Sequence, residues 1–200
     1  MVADESPNSW PVISSRELLS NWLITVRTDR VRLPDAGEAD RTVITHVGAV
    51  AILALDEQGR VLMIRQYRHP VARELWEIPA GLRDADGEAL VDTARRELLE
   101  ETGYEAREWW SLVDSYASPG ITNEKIRIFL ARDLVTADSD YKREAEEKFL
   151  RTDWVPLADA AAQALAGKIH NGATIQGILA AYIASGNGFT ALRPADAPEG

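Results

Sequence analysis

Apolar and polar positions divide the chain into a run of strands, one helix near the middle, more strands, and two closing helices. Trp22 to Leu33 mixes β-branched, aromatic and basic residues and stops at Pro34, Asp35, Ala36 and Gly37, the pattern of a strand followed by a turn. A second, long and increasingly apolar strand is predicted from Thr42 to Leu55. The polar run Asp56–Arg60 reads as a hairpin turn into a strand at Val61–Tyr67, and Leu75–Pro79 as a short strand leading to Gly81. From Ala89 to Thr102 the period becomes helical: Leu90, Val91, Ala94 and Leu98 form one stripe for burial, and Gly103 supplies the stop. The glutamates of that helix are expected to face away from most of the core. Leu112–Ala117, Lys125–Ala131 and Phe149–Val155 read as three further strands, with helices within Leu157–Ala166 and Thr174–Ala184. This order predicts an α/β fold, a mixed β-sheet sandwiched between helices.

Two hundred residues, 46% hydrophobic and 27% charged, suit one packed domain rather than two. With 22 basic against 32 acidic residues the formal net charge is −10, which argues against a nucleic-acid polymer as partner. A small anionic substrate stays open, because metal ions can neutralise a local field. The absence of cysteine excludes disulfides, a thiolate nucleophile and a thiolate metal site. His46, His69 and His170 show no H-x-x-x-H pairing, which disfavours zinc hydrolysis. No apolar run approaches roughly eighteen residues, and the first residues are acidic and polar. Neither a membrane span nor a signal peptide is expected, and a cytoplasmic location is the default. Residues 193–200, rich in Pro, Ala and acid, are expected to form a flexible tail.

The chemistry concentrates in Arg96–Tyr104, Arg-Glu-Leu-Leu-Glu-Glu-Thr-Gly-Tyr. On a helix Glu97, Glu100 and Glu101 share a face about one turn apart, and like charges so placed repel unless a cation sits among them. Magnesium suits that role, being satisfied by carboxylates, waters and phosphate oxygens. Arg96 can hold one carboxylate by a charged hydrogen bond. A bare Glu-rich face is more often solvated surface; Gly81, Glu88, Arg96 and Gly103 at fixed distances turn the balance. The stretch resembles the Nudix box, G-x5-E-x7-R-E-U-x-E-E-x-G-U with U a bulky aliphatic residue. It departs twice: six residues separate Gly81 from Glu88, and Tyr104 stands at the last position.

Outside the box the chain is similar to ADP-ribose pyrophosphatases, and looks closest to the actinobacterial type. Pro119 lies sixteen residues after Gly103, within Ser118–Glu124, Ser-Pro-Gly-Ile-Thr-Asn-Glu. Gln-Tyr-Arg-His from Gln66 and Leu-Trp-Glu-Ile-Pro-Ala-Gly from Leu75 also match that subgroup, and the likeness spans roughly Trp22 to Tyr182. The resemblance implies a Nudix fold over 41–192 preceded by a strand region, 1–40, used in dimerisation and in the nucleotide pocket. It implies a homodimer that hydrolyses ADP-ribose to AMP and ribose 5-phosphate with magnesium, manganese being a substitute.

Carried onto this sequence, Glu97 and Glu101 are the firmest metal ligands, with Glu100, the Ala80 carbonyl and Glu147 beside them. Arg96 orients the cluster and Glu88 pairs with it. Arg27 and Arg68 are expected to grip the pyrophosphate. Glu77, Pro119, Gly120 and Glu124 are expected at the substrate, with Trp22, Ile24 and Val26 offering a wall for adenine. The base is expected from Asp140–Lys148, Glu147 first, then Glu146 and Glu144. Each has a plainer reading: Pro119-Gly120 a turn, Arg68 a strand-end surface residue, Glu77 a structural carboxylate, Trp22 and Trp76 core or interface aromatics, the acidic loop solvated. Rival functions are hydrolysis of NADH, nucleotide sugars or dinucleoside polyphosphates, or a non-catalytic ADP-ribose-binding module. Against the last stands the full set of box carboxylates.

Overall fold

Strands form where β-branched and aromatic residues run together, but not always with the partners that sequence neighbours suggest. The computed structural model describes residues 9–85, 87–137 and 149–199. They fall into two compact units, one from residues up to Val47 with Ser118–Glu124, the other from Gly48–Ala117 with Lys125 onward.

In the first unit β1 (Val12–Ser20), β2 (Ile24–Arg32) and β3 (Glu38–His46) make an antiparallel meander. Asn21 Oδ1 shapes the first turn by accepting the N–H groups of Leu23 and Ile24, each at 2.9 Å. Ser118–Glu124 docks through the Ile44 N–H, which donates to the Ile121 carbonyl at 2.8 Å, and through the His46 N–H on Asn123 Oδ1 at 2.9 Å. β1 gave no sequence signal because nothing in it alternates between buried and exposed: all nine of its residues are exposed.

The strand expected from Thr42 to Leu55 is two strands. β3 ends at His46 and β4 spans Ala49–Ala54, because Gly48 adopts φ +89°, which a residue with a Cβ takes up only under strain. The second unit holds a five-stranded mixed sheet in the order β11-β8-β9-β4-β7, with β7 Ala80–Leu82, β8 Tyr104–Tyr116, β9 Lys125–Thr136 and β11 Arg193–Pro194. β4 runs parallel to β9; the other pairs are antiparallel. A second antiparallel sheet has β5 (Arg60–Arg68) between β10 (Arg151–Pro156) and β6 (Arg73–Glu77). The predicted hairpin is therefore only a turn. The Asp56 N–H donates to the Arg60 carbonyl at 3.0 Å and Leu55 bridges Val61, but β4 and β5 enter different sheets. Val61, Leu62, Met63 and Ile64 are all buried in succession, so β5 needs apolar neighbours on both faces.

β4 distributes its side chains by the period of two. Ala51 and Leu53 join a core with Met63, Ile128 and Ile178, packed by α2 (Leu157–Leu165) and α3 (Gly172–Ser185). Val50, Ile52 and Ala54 join another with Leu62, Trp109 and Phe129, packed by α1 (Leu90–Thr102) through Ala94 and Leu98. Helices thus cover both faces, as expected. Gly103 closes α1 in the left-handed region at φ 74°, its N–H on the Leu99 carbonyl at 2.8 Å. The segment expected to be a flexible tail forms β11 and lends the Ala197 carbonyl to Arg127 at 2.6 Å, because a buried guanidinium needs its acceptors. Among the described residues no helix is long and apolar enough to cross a membrane.

Leu98, wholly buried, ties α1 to β4 and β9. Leu98→Ala is expected to cost about 2–5 kcal/mol by urea denaturation, against less for the half-buried Leu99. Equal losses at the two positions would contradict this seating of α1.

Candidate active site

The buried side of α1 is Thr93, Ala94, Leu98 and Glu101. Glu101, only 6% exposed, therefore lies in the stripe itself and not away from the core. The expectation for the glutamates counted apolar residues alone, whereas Glu101 continues the Ala94–Leu98 face at helical spacing. A carboxylate in that position must be hydrogen bonded. Its Oε2 accepts the Ala80 N–H at 3.0 Å, which fastens α1 to β7.

One turn earlier, Glu97 presses on β7. A Cβ built on Gly81 would overlap the Glu97 carboxyl group, so a larger residue there would displace that side chain. Burial pushes the Glu97 carboxyl pKa up; Arg96 pulls it back, while Glu100 and Asp84 add to the rise. Arg96 Nη1 donates to Glu97 Oε1 at 2.7 Å and to Glu100 Oε2 at 3.4 Å. Its other edge meets Glu88, Nε to Oε1 at 3.4 Å and Nη2 to Oε2 at 3.3 Å, with Asp84 Oδ1 3.7 Å from Nη2. Burial opposes the Arg96 charge, but Glu88 and Glu97 overcome it and push its pKa up. Glu88 is anchored in turn by Thr93 Oγ1 at 2.8 Å, and Arg96 and Thr93 hold its pKa down. The expected Glu88–Arg96 pairing is present. Thr93 and Asp84 were not foreseen; a Thr in the first turn of a helix and an acid in the loop before it were the available signals.

Arg68, at the end of β5, is gripped by Glu77 of β6, Nε to Oε1 at 3.0 Å and Nη2 to Oε2 at 2.7 Å. Glu77 is 1% exposed and also accepts from Gln66 Nε2 at 3.4 Å. Hydrogen bonding to Glu77 raises the Arg68 pKa against its burial, and the Glu101 charge adds to the rise. Glu77 thus seats Arg68. Arg68 itself is left half-exposed. Gln66, which steadies Glu77, was not singled out.

In the other unit Arg27 is committed on two sides, Nε to Asp29 Oδ2 at 2.9 Å and Nη1 to Thr45 Oγ1 at 2.5 Å. Asp29 is buried and also takes the Ser15 hydroxyl at 2.6 Å; that bond and Arg27 hold its pKa down against burial. Pro119 and Gly120 form an exposed turn in which the Ile121 and Thr122 N–H groups both donate to the Ser118 carbonyl at 3.0 Å. Glu124 Oε1 lies 3.8 Å from His46 Nδ1. The structure thus sets Glu97 and Glu101 against Gly81 and Ala80 of β7, with Arg96 on Glu97 and Glu100 and the charge of Glu101 felt at Arg68. Arg27, Pro119, Gly120 and Glu124 belong to the first unit. Glu144, Glu146 and Glu147 lie outside the described residues.

In chemical type the α1 donors suit a hard divalent cation. They are all carboxylate oxygens, and Glu97 is buried against a glycine with its charge incompletely compensated. Among the described residues no three acidic or imidazole side chains converge at ion-holding distance; Arg96 Nη1 sits on both Glu97 and Glu100. A carboxyl whose folded pKa is raised binds its proton more tightly folded than unfolded. Stability then falls as pH rises from the unfolded carboxyl range through the raised folded value. Glu97→Gln is accordingly expected to raise the Tm of metal-free protein at pH 8, with the gain shrinking as pH falls below that window. A variant no more stable at pH 8 would mean that Arg96 already compensates the charge.

The NUDIX domain model matches residues 45–175. An ADP-ribose pyrophosphatase of Mycobacterium tuberculosis (strain ATCC 25618 / H37Rv) is 41% identical over 189 residues, 94% of this chain and 90% of that protein. An ADP-ribose pyrophosphatase of Bacillus subtilis (strain 168) is 38% identical over 149 residues, 74% and 79% of the two chains. The crystal structure of an ADP compounds hydrolase superposes with a TM-score of 0.76 over 92% of this chain and 99% of that one; at 19% identity it speaks for the fold. The domain match falls on the strand, glycine and carboxylate helix that build the site, and the chain belongs to the Nudix family.

Proposed function

We propose that this Nudix chain hydrolyses ADP-ribose to AMP and ribose 5-phosphate with magnesium, manganese substituting. The observation that carries the reading is the Glu97, Glu100 and Glu101 face of α1, intact and seated on Gly81, in a chain 41% identical to a protein named for that activity. Glu97 and Glu101 are the principal ligands, joined by Glu100, the Ala80 carbonyl and Glu147. Bound there, magnesium neutralises phosphate oxygens and lowers the pKa of water. Arg96 keeps Glu97 and Glu100 at a fixed reach, and Glu88 with Thr93 keeps Arg96 from swinging away. Arg68, oriented by Glu77, pairs with a phosphate oxygen; a guanidinium held at one edge leaves its remaining N–H groups for that contact. Glu147 takes the proton of the attacking water, which adds to phosphorus as the bridging oxygen departs. Arg27, Pro119, Gly120 and Glu124 serve substrate binding, Arg27 with Trp22, Ile24 and Val26 at the adenosine end.

A homodimer joined through the β1–β3 sheet completes the reading. Support comes from Val12, Ile13, Leu18 and Leu19, which leave 42–55% of their surface exposed, and from Trp22 at 74%. An apolar strand at the edge of a sheet invites a second copy.

Purified protein with magnesium is expected to show a higher kcat/KM on ADP-ribose than on NADH, ADP-glucose or diadenosine polyphosphates, releasing AMP and ribose 5-phosphate. A clear preference for one of the rivals would reassign the substrate. Glu101→Gln should abolish turnover with the fold kept. Glu147→Gln should lower kcat by about 10²–10⁴ with little change in KM; if only Glu146→Gln or Glu144→Gln is damaging, the base is that residue.

Sedimentation should give a dimer at assay concentration, and Leu18→Glu/Leu19→Glu should shift it to monomer. An active wild-type monomer would refute the shared assembly.

A further inference from the structure

The segment Arg193–Glu199 is fastened to the second unit at several points. β11 pairs Arg193 with Ser111 and Pro194 with Trp110. Arg193 Nη2 donates to Asp114 Oδ2 at 2.9 Å, and Asp114 simultaneously grips Arg127 at 2.7 and 2.9 Å. Arg127 is 2% exposed, and its Nη1 takes the Ala197 carbonyl. The Ala197 N–H returns to the Pro194 carbonyl at 3.1 Å, so the segment is folded on itself. Beyond that turn, Glu199 Oε1 lies 3.2 Å from Arg83 Nη1, both side chains being partly buried.

Arg83 opens the loop between β7 and α1. Its N–H donates to the Gly48 carbonyl at 3.2 Å, and its side chain packs where a Cβ on Gly48 would come within 3.1 Å of Cδ. The next residues carry Asp84 and Glu88, the acids on the outer edge of Arg96. At its far end Thr93 and Arg96 hold Glu88, whereas at its near end Asp84 and Ala85 are exposed, and Gly87, at φ +78°, has open space where a Cβ would lie. Such segments open at low free-energy cost unless tied.

We infer that Glu199, through Arg83, positions the loop Arg83–Ala89 and thereby the Glu88–Arg96–Glu97 chain of contacts. Glu199 touches no reacting atom and is a positioning residue. Its catalytic consequence rests on the role proposed above for Arg96 and Glu97. The buried Arg127–Asp114 pair fixes where the segment crosses, and that crossing delivers Glu199 to Arg83.

The test is hydrogen–deuterium exchange of metal-free protein, read at Arg83–Ala89. Glu199→Gln should speed exchange there about two- to fivefold, the scale of a partly exposed ion pair, with β8 and β9 unchanged. With magnesium, kcat should fall by a similar factor and the half-saturating magnesium concentration should rise, while KM for ADP-ribose holds. Arg83→Gln should reproduce both changes, and the exchanged pair Arg83→Glu/Glu199→Arg should recover part of each. Unaltered exchange at Arg83–Ala89 in Glu199→Gln would overturn the inference. So would an increase spread evenly over β8, β9 and α1 with a lowered Tm, the mark of general loosening. Should Glu101→Gln retain turnover, the proposed site fails, and the exchange result still reports on the loop.

Discussion

The contact between α1 and β7 at Gly81 is the constraint on which the site depends. Here the Glu97 carboxyl group fills the space that a Cβ at that strand position would take. The approach is fixed from both ends of the helix face. Leu98 and Ala94 bury into β4 and β9, and Glu101 accepts the Ala80 N–H. Between them lies Glu97, its side chain 14% exposed, and burial there opposes its charge. Protein stability alone would favour an apolar residue there.

Charge in the second unit is arranged by depth. Exposed pairs such as Arg95–Asp92 are of the kind worth about 0–1 kcal/mol. The pairs that matter each set a guanidinium against a buried or partly buried carboxylate: Arg68 on Glu77, Arg96 on Glu88 and Glu97, Arg127 on Asp114. Removing one partner of such a pair strands the other, except at Glu97, where burial already opposes the charge. Two of the three converge on the α1 carboxylates, since the field of Glu101 reaches Arg68. The third anchors the segment that carries Glu199. The basic residues therefore read as one scaffold for acidic groups. That is how an acidic chain can still present a cation to an anionic ligand.

Local order was legible in the sequence wherever one residue decided it. Gly103 ends α1 because the left-handed position there has few other occupants, and the helical period before it survives any tertiary context. The Glu88–Arg96 pairing follows from spacing alone. Pairing between strands was not legible. The apolar run through Gly48 continues on both sides of a residue whose φ no neighbour announces, and the Asp56–Arg60 turn is as good a turn when its strands diverge as when they pair. β1 lacks a buried face, so no alternation marks it. Glu101 shows the limit most sharply. Counting apolar residues placed the glutamates outside, whereas position on the helix places Glu101 inside, and the two disagree because a charged residue occupies a core position. A residue whose type contradicts its place in the period is where packing has yielded to chemistry, and on α1 that residue is also the one that fastens the helix to the strand carrying Ala80 and Gly81.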